Sequence, residues 1–122
     1  MGFIKEKVEL VGTLKRKSIM ALFDSGAYQN YTKRVLTDGE NIEDIGFHTF
    51  EGTQNVILAN ETIASGEKVR FKEVRIKGYK VNDPQFVIMD NLLEDMIIGA
   101  SLMQKLGIQL DPPNEKINIA SK

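Results

Sequence analysis

The chain has no cysteine among its 122 residues, which excludes disulfides and thiolate zinc sites. It has one histidine, His48, so no His pair can hold a metal and a Ser-His-Asp triad has little to draw on. His48 reads as an ordinary surface or half-buried residue. A basic excess is also missing: 16 Lys and Arg stand against 17 Asp and Glu, a net charge of -1. Nucleic-acid binding needs basic residues in excess on one face. Lys15-Arg16-Lys17, the only basic run, reads as a solvated hairpin turn. No apolar run approaches the roughly 20 residues that cross a bilayer. Met1-Gly2-Phe3-Ile4-Lys5-Glu6 is too short and charged for a secretory signal, and Glu6 breaks the myristoylation pattern. The expectation is a cytoplasmic protein with no transmembrane segment and no nucleic-acid partner. Neither a linker nor a low-complexity stretch divides the chain, so one domain over residues 1–122 is expected. That length buries a real core but is short for an enzyme carrying a complete cleft by itself.

Short strand signals fill most of the sequence. Residues 4–14 alternate apolar and polar. Residues 18–23 form an apolar run that predicts a strand buried on both faces, with Met20 as core filler alongside Met89, Met96 and Met103. Residues 27–31 read as extended, and 32–37 as a short helical turn capped by Thr32. Asp38-Gly39-Glu40-Asn41 is a loop by composition, and the acidic stretch from Glu40 to Asp44 reads as solvated, with weak cation binding as its only other use. From Ile45 to Ile76 the pattern is β. Asn60 suits a hairpin tip, and the alternation over 69–76 predicts a strand that changes its buried face at a bulge. Gly78 and Val81-Asn82-Asp83-Pro84 mark turns, and Gln85–Met89 is a buried strand. Met96-Ile97-Ile98 is another, closed by Gly99. Residues 100–107 read as a two-turn helix with Leu102, Met103 and Leu106 on one face and Gly107 as its stop. Residues 108–110 and 116–119 form a hairpin across Pro112-Pro113-Asn114-Glu115. Many short strands separated by turns predict an all-β barrel or sandwich with one helix near the C-terminus.

Two apolar strands end alike. Ala21-Leu22-Phe23 leads into Asp24-Ser25-Gly26-Ala27, and Met96-Ile97-Ile98 leads into Gly99. A carboxylate at a strand end can be a mere turn former, and Asp-Ser-Gly alone is a weak signal. Combined with the intervening hairpin, the late Ile97-Ile98-Gly99, the short helix and the closing hairpin, the chain resembles the retropepsin-like aspartic proteases from about Val8 to Ile119. The resemblance implies a closed, mostly antiparallel β-barrel with one short C-terminal helix, active as a homodimer on an extended polypeptide. It implies Asp24 as the catalytic residue, with Ser25, Gly26 and Gly99 supporting the active site. It places Gly26, Ala27, Ala59 and Asn60 against substrate, the last two in a flap hairpin around residues 58–62. No cofactor and no metal are expected.

Peptide hydrolysis without a metal or a covalent nucleophile needs a base to activate water and an acid for the carbonyl or leaving amine. Two carboxylates about 3 Å apart do both, because such a pair shares one proton. The chain has one Asp-Ser-Gly, and its other aspartates lack that frame. The second Asp24 must therefore come from a second copy across a two-fold axis. Flap tips in the family are commonly glycine-rich, whereas this one reads Ala59-Asn60-Glu61, with the nearest downstream glycine at Gly66. The alternatives are an inactive dimerisation or peptide-binding module on the same fold, and a monomeric β domain in which Asp24 only shapes a turn.

Overall fold

The computed structural model describes residues 4–50, 54–57 and 63–119. In chain order the strands are β1 (Ile4–Val11), β2 (Arg16–Phe23), β3 (Tyr31–Lys33), β4 (His48–Thr49), β5 (Gln54–Ile57), β6 (Ile63–Arg70), β7 (Glu73–Ile76), β8 (Tyr79–Asn82), β9 (Gln85–Met89) and β10 (Met96–Ile98). Helix α1 (Ala100–Leu106) follows, then β11 (Ile108–Asp111) and β12 (Lys116–Ile119). A 3-10 turn at Ile42–Asp44 is capped by the Asn41 side chain, which accepts from the Glu43 N–H, and a second lies at Pro112–Asn114.

Ten strands make one sheet in the order β4-β6-β9-β3-β10-β2-β1-β7-β8, with β5 paired to β6; β11 and β12 form a separate two-stranded sheet. Among the described residues this sheet runs from one edge to another, so the closure expected of a barrel is not found there. The mostly β architecture with one short helix is as expected. Near the middle of the sheet the pairing turns parallel: β10 lies parallel to β2 and β3 parallel to β9. Parallel neighbours need long crossovers. Here residues 24–95 intervene between β2 and β10, so the two junctions singled out in the sequence meet side by side.

The core lies on one face of this sheet, where Phe71 and Phe86 are fully buried. Phe71 meets Phe47 and Phe86 edge to face, each at 5.5 Å between ring centres. Each such side chain contributes about 1.5–3 kcal/mol through burial. Helix α1 adds Leu102 and Met103, with Leu106 half-buried against them, and stops at Gly107 in the left-handed region (φ 68°), where glycine carries no steric penalty. The final hairpin aligns Ile108 with Ile119 and Leu110 with Ile117, which puts all four on one face, packed against the core.

Several local expectations are corrected. Arg16 and Lys17 belong to β2; the turn runs over residues 12–15, closed by the Gly12 N–H donating to the Lys15 carbonyl at 2.8 Å. Strand β2 is buried on one face only, with Met20 47% exposed, so Met20 is not core filler. Residues 32–37 hold no helical turn: Thr32 is fully buried inside β3. Its hydroxyl donates to the Asp95 carbonyl at 3.1 Å, an alternative satisfaction to capping. Residues 27–30 turn rather than extend. The long strand over 69–76 is two strands, broken at Phe71-Lys72, where the Lys72 N–H crosses to the Val11 carbonyl.

Candidate active site

Strand β2 ends at Phe23, and Asp24 begins a loop that never leaves the neighbouring junction. The Asp24 N–H still donates to the Ile98 carbonyl of β10 at 3.0 Å, extending the parallel pairing one step. The Asp24 carbonyl then accepts from the Ala27 N–H at 3.1 Å, and its carboxylate Oδ1 accepts from the Gly26 N–H at 2.9 Å. Main chain and side chain therefore close the same turn, in the way short acidic side chains do. Gly26 does not lie in the left-handed region. What it supplies is room, since a Cβ there would stand 3.2 Å from Asp24 Oδ1.

The loop is held from beneath by the start of α1. Gly99 precedes the helix and offers no side-chain cap, leaving the first N–H groups of the helix to find other partners. The Ala100 N–H donates to the Ala27 carbonyl at 2.7 Å and the Ser101 N–H to the Tyr28 carbonyl at 3.1 Å. The Gly99 N–H donates to Asn30 Oδ1 at 3.0 Å. Three consecutive donors thus hold residues 27–30 as a belt around Gly99. The belt leaves no space for a side chain: a Cβ on Gly99 would overlap the Gln29 carbonyl oxygen and stand 2.8 Å from those of Ala27 and Tyr28.

Asp24, Ser25 and Gly26 face outward and are exposed, while Ala27 is half-buried. Ser25 borders an open recess of about 400 Å³ with Ala100, Met103, Gln104, Ile108 and Leu110. On the inner side of the loop, register lines up an apolar row across four strands. Leu22 of β2 stands beside Ile97, Ile97 beside Tyr31, and Tyr31 beside Val87. Residues directly opposite share a face, and Leu22, two before Asp24, shares its parity. This face lies opposite the main core. Val87 and Met89 make a second apolar cluster there with Tyr31 and Leu92, and burial in it pushes the Tyr31 phenol above its ordinary pKa.

The hairpin of β5 and β6 pairs Gln54 with Gly66 and Ile57 with Ile63, and β6 continues onto β9. Residues 58–62, including Ala59 and Asn60, lie outside the described residues. Gly66 is not a tip residue. It sits within β6, where a Cβ would overlap Val87 Cγ1, so its smallness lets β6 approach the apolar row. In the acidic stretch from Glu40 to Asp44, Glu40 meets Lys15 and Lys17 and Glu43 meets Arg34 at 2.9 Å, while Asp44 is exposed. Among the described residues no group of three or more His, Asp or Glu side chains could hold a metal. His48 is exposed.

The structure therefore brings together Asp24, Ser25, Gly26, Ala27 and Gly99. Reading the sequence missed Asn30, one of two buried polar side chains in the described core, and the row through Tyr31 and Val87. An amide flanked by Gln29 and Tyr31 gives no local sign of burial.

Residues 8–102 match the aspartyl protease family. The chain belongs to that family. No curated protein matches it. Among solved structures it is similar to the retroviral protease-like domain of Ddi1 from Leishmania major, at 13% identity and a TM-score of 0.62, over 100% of this chain and 91% of that one. It is also similar to a retropepsin-like aspartic protease from Rickettsia conorii, at 16% identity and a TM-score of 0.63, over 90% of this chain and 77% of that one. At these identities the likeness establishes the retropepsin-like fold. Among the described residues no helix is long and apolar enough to cross a membrane.

Proposed function

We propose that this aspartyl protease family member is an endopeptidase whose active centre forms when two copies each contribute Asp24. The observation that carries the reading is Asp24 itself, an exposed carboxylate on a turn fixed by its own main chain, by Gly26 and by Ile98. A carboxylate that only shaped a turn would need no belt around Gly99 behind it. One copy supplies one such acid, so the pair requires a two-fold axis passing beside the loop.

In the assembled site one carboxylate takes a proton from water as the oxygen attacks the scissile carbonyl carbon. The partner carboxyl donates its proton to the carbonyl oxygen, giving a gem-diol. Collapse of the gem-diol breaks the C–N bond as the amide nitrogen takes up a proton, and the two acids return to sharing one. Ser25 braces the paired loops, and Gly26 and Ala27 leave room for substrate main chain. The substrate lies extended as an added strand, with apolar side chains against the half-buried Leu22, Ile97 and Tyr31. The hairpin of β5 and β6 closes over it, with Ala59 and Asn60 contacting its main chain and water excluded from the cut bond. No cofactor or metal takes part.

The test uses purified protein and an unfolded polypeptide at acidic pH. Cleavage should occur, and Asp24→Asn should abolish it while sedimentation still reports a dimer. Cleavage that survives Asp24→Asn would refute the mechanism. A stable dimer that cuts nothing under any condition would instead favour an inactive dimerisation or peptide-binding module on the same fold.

A further inference from the structure

Asn30 makes three hydrogen bonds, through three different groups, to two separate parts of the site. Its Oδ1 accepts from the Gly99 N–H at 3.0 Å, and its Nδ2 donates to the Gln85 carbonyl at 3.1 Å. Its own carbonyl accepts from the Val87 N–H at 2.9 Å, and one residue later Tyr31 enters the apolar row beside Val87. The orientation of the amide is forced, because Gly99 presents a donor and Gln85 an acceptor. At 7% exposure the side chain is largely withdrawn from water, so losing either partner is costly. Thr32, the other buried polar side chain of the described core, bonds to the Asp95 carbonyl and not to this junction.

The backbone already links β10 to β3 and β3 to β9; the two side-chain bonds of Asn30 add a direct tie from Gly99 to Gln85 just beyond the end of that ladder. Gly99 is the post around which the Asp24 loop is belted. Gln85 begins β9, the strand that carries β6 and with it the hairpin proposed to close over substrate. We propose that Asn30 is a positioning residue: it fixes the Asp24 loop and the substrate-covering hairpin at one spacing by clamping Gly99 to the start of β9. The inference rests on Asp24 being the reacting acid, but the clamp has a readout of its own. Reactions between fixed groups lose about 10²-fold when a group is misplaced by an ångström, so a clamp of this kind acts on turnover more than on affinity.

Asn30→Asp separates the two bonds. One carboxylate oxygen can still accept from Gly99. The other faces the Gln85 carbonyl and bonds only when it carries a proton. Burial and that opposed carbonyl both disfavour ionisation. The titratable groups lining the recess beside Asn30 are Tyr28, Lys68, Asp83 and Lys105, and Asp83 also lies 4.0 Å from Arg70. The two lysines favour an ionised carboxylate and Asp83 opposes it; the contact with Gln85, being the nearest, sets the expected sign.

The experiment measures kcat and KM of wild type, Asn30→Ala and Asn30→Asp across acidic to neutral pH, below each variant's melting midpoint, together with amide exchange of Gly99. Asn30→Ala should lower kcat by ~10²-fold with KM changed less than about threefold, the signature of lost transition-state geometry, and should speed Gly99 exchange. Asn30→Asp should turn over like wild type at acidic pH and lose kcat toward neutral pH more steeply. Wild-type kcat in Asn30→Ala, a wild-type pH profile in Asn30→Asp, or unchanged Gly99 exchange in Asn30→Ala would each overturn the clamp. Should Asn30→Ala fail to fold, the Asn30→Asp profile decides alone. A wild-type protein that cuts nothing defeats the Asp24 reading, and Gly99 exchange in the two variants then still decides whether the clamp exists.

Discussion

The two strand ends that meet at the site start from nearly the same sequence logic and finish oppositely. Strands β2 and β10 are both apolar, pair in parallel and run side by side, with Ile98 aligned to Phe23. One delivers Asp24, exposed, with its carboxylate held at a surface. The other delivers Gly99, buried, with no side chain at all. The Asp24 end tolerates exposure because its turn is closed by its own hydrogen bonds. The silent end must be glycine because three backbone carbonyls of the first end's loop crowd the space a Cβ would fill. On the proposed function, chemistry is carried by one junction and its shape by the other, so substitutions at the two should fail in different ways.

The largest expected effect is on turnover. Asp24→Asn should lower cleavage by ~10⁴-fold, the upper end for loss of a general acid–base group. Its melting midpoint should stay near that of wild type, since an amide oxygen can still accept from Gly26; a matching loss of stability would merge the two roles. Gly99→Ala should do the reverse. Its Cβ meets backbone oxygens that cannot rotate away, and overpacking of that kind costs about 3 kcal/mol or more, read as a large drop in the denaturation midpoint. A Gly99→Ala protein of wild-type stability would show that the belt is loose.

Gly26→Ala sharpens the contrast. Its Cβ meets only the Asp24 carboxylate, at 3.2 Å, and the backbone needs no left-handed φ there. Stability should hold while kcat falls by ~10-fold through a displaced carboxylate.

The smallest effect lies away from both junctions. Hydrogen bonds and ion pairs with Asp38 and Glu40 raise Lys17 to about 12. Asp38 is lowered, first by its hydrogen bond with Lys17, and Glu40 is lowered, first by its hydrogen bond with Lys15. The lysine's contribution is complete below its unfolded value and is lost as pH rises toward about 12. Those of the carboxylates are present at neutral pH and are lost as pH falls through their depressed folded values. Asp38 is exposed and Lys17 and Glu40 are half-buried at the surface, within reach of solvent screening, so Lys17→Ala should shift the melting midpoint slightly, and the shift should shrink in high salt. A shift as large as that of Gly99→Ala would mean the cluster holds the fold.

What the sequence made readable follows from how local each signal is. Strand β10, helix α1 with its Gly107 stop, and the hairpin of β11 and β12 declare themselves through periodicity and turn chemistry within a few residues. Both junctions were visible for the same reason. Strand β3 was not. It has three residues, and its place is set by β10 on one side and β9 on the other, both more than 50 residues away in sequence. Its central Thr32 looks like a cap and is a buried hydroxyl answered by Asp95. Asn30 was hidden likewise, because its partners are Gly99 and Gln85. Met20 misled in the other direction: an unbroken apolar run reads as doubly buried, but the side chains of β2 still alternate and one face is left open.

The most direct measurement is the separation of the two Asp24 carboxyl groups in a crystal structure of the dimer. The account predicts about 3 Å, the spacing at which two acids share one proton, at the floor of a groove walled by Leu22, Ile97 and Tyr31. A dimer whose Asp24 side chains lie on opposite faces, or apart with no groove between them, would contradict it.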